Sequence, residues 1–186
     1  VWLDDCRFFY TDTNKSVWDI EDRDLVRDRN TINNMNSINA TAMLIVSYTP
    51  ATFMNASGNC TGWPSSERCP IAADKLDEWS EAVNYWAMNL TNNCTENLDD
   101  FVVEIMNEPY GGFLMYDLTR NGMTSDQASN QRYLYYKEYF NATFTGLKDV
   151  CPALKVGGPA GYYTDQIYGS NFTDMFLQDF GNVIDF

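Results

Sequence analysis

The chain has 186 residues, 45% of them hydrophobic and 15% aromatic, enough for the core of one ordinary domain spanning residues 1–186 and too apolar for a disordered tract. Its 12 basic and 26 acidic side chains give a formal net charge of −14, which repels phosphate backbones and argues against nucleic acid as a partner. Histidine is absent, which removes the Ser-His and Cys-His nucleophile pairs and the commonest zinc ligand. Neither a metal nor a cofactor is expected, and acid-base chemistry falls to carboxylates and phenols.

In chain order, residues 1–3 are expected to form a first short strand. Leu25, Ile32 and Met35 then recur at helical spacing among many charges, which predicts a helix over residues 22–38. The run AMLIV at 42–46 reads as a buried strand. A long loop follows over 49–70; it carries Cys60 and Cys69, which are expected to pair locally. Leu76, Trp79, Val83, Trp86 and Leu90 mark an amphipathic helix over 72–91. Residues 101–106 form the next apolar run. Thr124 and Gln127 have the spacing of a capping box, ahead of a helical stripe of Tyr133, Tyr136, Phe140, Phe144 and Leu147. Short runs at 154–156 and 183–186 read as further strands, with a short helix around Phe172, Met175, Phe176 and Leu177 between them. Strands separated by helices predict a parallel α/β sheet. No apolar run is long enough to span a bilayer.

Asn-x-Ser/Thr sequons begin at Asn14, Asn39, Asn55, Asn59, Asn89, Asn93, Asn141 and Asn171, where chance would give roughly two or three. With five cysteines that lack metal-site spacing, they predict a glycoprotein of the secretory pathway, extracellular first and lysosomal second. N-linked glycans are expected above all at Asn89, Asn93 and Asn141.

The stretch FVVEIMNEPYGG at 101–112 bears most directly on function. Pro109 cannot donate to a ladder, so the strand must end at Asn107-Glu108 and leave a carboxylate on the rim of the sheet. A polar strand end followed by a turn would account for this pattern without any chemistry. Asn107-Glu108-Pro109 nevertheless resembles the strand-end signature of clan A glycoside hydrolases. LIVSYTPATF at 44–53, LKVGGPAGY at 154–162 and NVIDF at 182–186 are similar to the third, fifth and sixth strands of such enzymes. VWLDD at 1–5 with SVWDIEDRDL at 16–25 resembles the second strand and the helix after it. Gly-Gly-Pro-Ala at 157–160 is similar to family 39, which contains β-xylosidases and α-L-iduronidases, although Met106 stands where tryptophan is common.

The resemblance implies a (β/α)8 barrel of which about strands two to six are present in this chain. It implies a retaining glycosidase with Glu108 as acid/base and Asn107 on a substrate hydroxyl. The nucleophile, on strand seven in the family, has no counterpart, so the remainder of the barrel or a companion chain would be a partner. Tyr48, Tyr110, Trp63, Tyr162 and Tyr163 follow expected strands and could stack on sugar rings, though packing accounts for any one of them. Asp4 and Asp5 could meet substrate hydroxyls or be solvated. Glu104 shares a strand face with Glu108 and could be a buried ion-pair partner. On this fold Cys94 and Cys151 end successive helices and are expected to pair, which leaves Cys6 without a partner in the chain. The competing reading is a noncatalytic glycoprotein of an extracellular fibre or coat.

Overall fold

The two longest apolar runs pair with each other. Ala42–Val46 (β4) and Phe101–Ile105 (β5) run parallel with Ala42 opposite Phe101 and Val46 opposite Ile105. Trp2–Leu3 (β1) adds to the outer side of β4, and Val156–Gly157 (β6) to the outer side of β5. The computed structural model describes residues 2–3, 8–10, 18–20, 22–47, 49, 53, 69–106, 109, 122–159 and 172–186. Phe8–Tyr10 (β2) and Trp18–Ile20 (β3) make a separate antiparallel pair. The four α-helices among the described residues are Asp22–Ser37 (α1), Leu76–Leu90 (α2), Ser125–Val150 (α3) and Phe172–Phe180 (α4). A 3-10 turn, Ala73–Lys75, leads into α2.

The described residues therefore form an open four-stranded parallel sheet in the order β1-β4-β5-β6, and not the expected (β/α)8 barrel. Two differences have a local cause. Residues 183–186 do not form a strand beside β6. Asp185 donates its backbone N–H to Val156 O (2.9 Å), while its carboxylate accepts the Val156 N–H (2.8 Å), so a side chain takes the place of the next ladder rung. Residues 18–20, which the resemblance gives to the second strand and the helix after it, instead pair with Phe8–Tyr10, while α1 begins at Asp22 as its spacing predicts.

One face of the sheet is buried under α1, α2 and α3, with α1 adding Leu25 and Ile32 to the core. Ala42, Leu44, Val46, Phe101, Val103, Ile105 and Val156 point that way and are essentially inaccessible. The α2 stripe supplies Trp79, Val83, Trp86 and Leu90; the α3 stripe supplies Tyr133, Tyr136, Phe140 and Leu147, with Leu76 and Phe144 half-buried beside them. The helices touch closely because α3 carries Gly146 where they meet: a Cβ there would lie 2.3 Å from Ser80 O. Trp79 donates to Thr143 Oγ1 (2.8 Å), which itself donates to Tyr139 O (2.7 Å), so the polar atoms of this contact are paired. Phe140 packs on Phe176 and Phe180 of α4, with centroids 5.0 and 4.4 Å away. The capping box forms as expected, Thr124 and Gln127 each accepting the other's backbone N–H.

Cys94 and Cys151 are bridged, with Cα atoms 5.1 Å apart, which ties the turn after α2 to the end of α3. Cys69 is also disulfide-bonded. Cys60 and Cys6 lie outside the described residues, so the expected local pair and the expected free cysteine are not decided by this structure. No helix among the described residues is long and apolar enough to cross a membrane.

Candidate active site

The C-terminal ends of β4, β5 and β6 form the edge at which parallel α/β sheets present their ligand sites. Here that edge is held from below by tyrosines. Tyr136 Oη donates to Ile105 O (3.1 Å) and Tyr139 Oη to Val46 O (3.5 Å), so α3 grips the last carbonyl of each central strand. Both tyrosines are fully buried. The sequence reading placed Tyr136 on a buried stripe and missed this role. The signal was the residue type, since a buried phenol needs a partner for its hydroxyl where phenylalanine would not.

Beyond Ile105 the chain leaves the sheet sharply. Met106 donates its N–H to Val46 O (2.8 Å), is almost fully buried, and adopts φ 65, a left-handed conformation that is uncommon for a side chain of this size. The next two residues in the sequence are Asn107 and Glu108; Pro109, just after them, is buried. The exit of β6 presses on the same place. Gly158 has φ 130, and a Cβ on it would lie 2.8 Å from Ile105 O and 3.0 Å from Ile105 N, so only glycine allows this approach.

Thr49 Oγ1, three residues past β4, and Arg132 Nε, one helical turn ahead of Tyr136, are buried without a hydrogen-bond partner among the described residues. Glu104, on the opposite face of β5, is 6% exposed and sits in register with Ile45 and Gly157. A carboxylate so placed requires a partner, and it has one. Among the described residues no group of three Cys, Asp or Glu side chains could hold a metal ion.

Of the residues singled out from sequence, Asn107, Glu108, Tyr48, Tyr110, Trp63, Tyr162, Tyr163, Asp4 and Asp5 lie outside the described residues, as do the sequon residues Asn14, Asn55, Asn59 and Asn171. Asn39, Asn93 and Asn141 are exposed, and Asn89 is half-buried at the end of α2.

Away from this edge, two carboxylates have pKa values below the usual range. The Lys137 ammonium (2.8 Å), followed by the Tyr133 hydroxyl, lowers Asp179 on α4. Burial, helped by Asp179, pushes the Tyr133 phenol upward. Burial works to raise Asp185, but the Lys148 ammonium (2.7 Å) and the Val156 N–H together hold it low. These groups join helices and strand edge and belong to the framework.

Compared with known proteins, the chain matches no protein-family model and no curated protein.

Proposed function

We propose that the protein is a retaining glycoside hydrolase acting on β-linked, xylosidase-like substrates, with Glu108 as acid/base and Asn107 on a substrate hydroxyl. The observation that carries this reading is the exit of β5. The strand ends at a tyrosine-anchored carbonyl at the carboxyl edge of a parallel sheet and turns through a strained Met106, and Asn107-Glu108 are the next two residues in the sequence, which supports the reading. Strain of about 1–3 kcal/mol per such residue persists where the surroundings enforce it, and functional edges are a common setting. Thr49 Oγ1, just past β4, and Arg132 Nε are buried without a hydrogen-bond partner among the described residues, which supports a polar ligand in this part of the molecule.

In this reaction protonated Glu108 gives its proton to the glycosidic oxygen as the bond from that oxygen to the anomeric carbon breaks. The sugar's anomeric carbon forms an ester with a second carboxylate, and the leaving group departs as an alcohol. Glu108, now ionised, takes a proton from water; that water attacks the anomeric carbon and releases the second carboxylate. The second carboxylate comes from outside the residues assigned here, such as a companion chain.

Extracellular secretion, with the lysosome as the second destination, and modification by N-linked glycans belong to the same proposal. The exposed sequon residues Asn39, Asn93 and Asn141 support them. They equally favour the competing reading, a noncatalytic glycoprotein of a fibre or coat. Glu108→Gln in the native secreted protein separates the two. It should slow hydrolysis of substrates with poor leaving groups at least about a hundredfold while sparing the first step on activated aryl glycosides. Equal loss on both substrates, or no hydrolysis by the wild type, would leave the structural glycoprotein.

A further inference from the structure

A cleft of about 470 Å³ opens between α1 and α2, far from the strand exits, at the end of the molecule where α2 finishes. Its volume falls in the range of small-ligand sites, roughly 300–1,000 Å³. Ile32 forms part of its wall from α1; Tyr85 and Met88 contribute from α2 and are 37% and 36% exposed. The far rim is the turn after α2, in which Asn92, Asn93 and Cys94 adopt φ 47, 56 and 62 in succession. Three consecutive left-handed residues without a glycine need outside support. They have it: Thr91 Oγ1 accepts the Cys94 N–H (3.0 Å), Met88 O accepts the Asn93 N–H (2.9 Å), and Cys94 is bridged to Cys151.

Two sequons meet at this cleft, Asn89-Leu90-Thr91 and Asn93-Cys94-Thr95, and both asparagines line it. They differ in what the side-chain nitrogen does. Asn89 is half-buried and its Nδ2, the atom that would carry a sugar, donates to Tyr85 O (2.8 Å) along the helix. Asn93 is exposed on the rim.

We propose that Asn93 carries an N-linked glycan whose first N-acetylglucosamine folds back into this cleft and lies against Tyr85 and Met88. The inference rests on the secretory reading above. A pyranose has an apolar C–H face that suits a tyrosine ring, and its hydroxyl and acetamide groups suit a wall otherwise rich in amides and carrying the Arg29 guanidinium. Because the sugar is tethered to the rim, its local concentration is high and a weak contact suffices to keep it seated.

The test uses protein secreted by a eukaryotic host. Glycopeptide mapping should find Asn93 occupied. Amide hydrogen exchange over residues 85–97 should be unchanged after an endoglycosidase trims the glycan to its first sugar. It should speed up by roughly threefold to tenfold when the whole glycan is absent, by amidase treatment or in Thr95→Ala, the size expected for one lost aromatic contact. Tyr85→Ala should leave occupancy intact and abolish the difference between glycosylated and bare protein. If Asn141 is occupied and Asn93 is not, the proposal fails and the secretory reading survives. If no sequon is occupied, both fail. An occupied Asn93 with the same exchange in trimmed, bare and Tyr85→Ala protein would show a glycan that points into solvent, and would also overturn the proposal.

Discussion

The two faces of the central sheet are built from the same short strands and have opposite characters. On one, Leu44, Val103 and Ile105 are wholly enclosed beneath the helical layer. On the other, Met43 is 41% exposed, Ile45 and Val102 are half-buried, and a carboxylate, Glu104, lies between Ile45 and Gly157 in the sheet register. On that second face Phe186 lies so close over Gly157 that a Cβ there would meet its O at 2.6 Å. Hydrophobic stabilisation scales with apolar area removed from water, so the helical side should hold most of the folding energy. The strand exits inherit their geometry from the helical side too, through Tyr136 and Tyr139. The face that stabilises and the edge proposed to act are thus joined by two phenol hydroxyls.

That contrast can be broken by substitution. Leu44→Ala, in the enclosed face, should lower unfolding free energy by about 2–5 kcal/mol. Its neighbour Met43→Ala should stay within about 0.5 kcal/mol. Urea unfolding of the pair is the most direct check, and equal effects would mean that both faces are covered. Replacing Cys94 and Cys151 together by Ala opens the link behind the helical layer and should cost about 2–4 kcal/mol, read as a lower thermal midpoint of the oxidised protein's counterpart. Gly146→Ala forces α3 away from the Ser80 carbonyl; overpacking of this kind costs about 1–3 kcal/mol. Should it prove neutral, the close contact between α2 and α3 is not as described.

Tyr136→Phe sharpens the link between face and edge. It keeps the ring, leaves Ile105 O without its donor, and should cost about 1 kcal/mol, with faster exchange confined to amides around β5. The smallest expected effect is at the sheet margin. Asp185 has a depressed folded pKa, so its contribution is present above the ordinary value of 3.8 and is lost as pH falls through the folded value. Its side chain is 36% exposed, so screening holds the contribution to about 1 kcal/mol or less. Asp185→Asn should therefore narrow the gap to wild type in acid and widen it at neutral pH; a constant gap would place the loss in packing.

Much of the helical layer is legible without coordinates. Trp79, Val83 and Trp86 on α2, and Tyr133, Tyr136 and Phe140 on α3, announce their buried stripes by spacing alone, because a helix repeats every 3.6 residues whatever it packs against. The Thr124–Gln127 capping box is equally local, and all its partners lie within one turn. The strands β4 and β5 are readable as apolar runs. The candidate site is legible only as a motif, since Asn107-Glu108-Pro109 says where a strand stops and not what surrounds the carboxylate.

Sequence by itself thus determined the helices, the central strands and a carboxylate just past a strand end, through interactions among near neighbours in the chain. Tertiary structure alone decided that the sheet is open, that Asp185 takes the place of a ladder rung on Val156, that Gly146 brings α3 onto Ser80, and that Met106 turns left-handed between Val46 and the exit of β6. Each of these depends on a partner distant in sequence. Local periodicity carries no information about which distant backbone will arrive, or how closely.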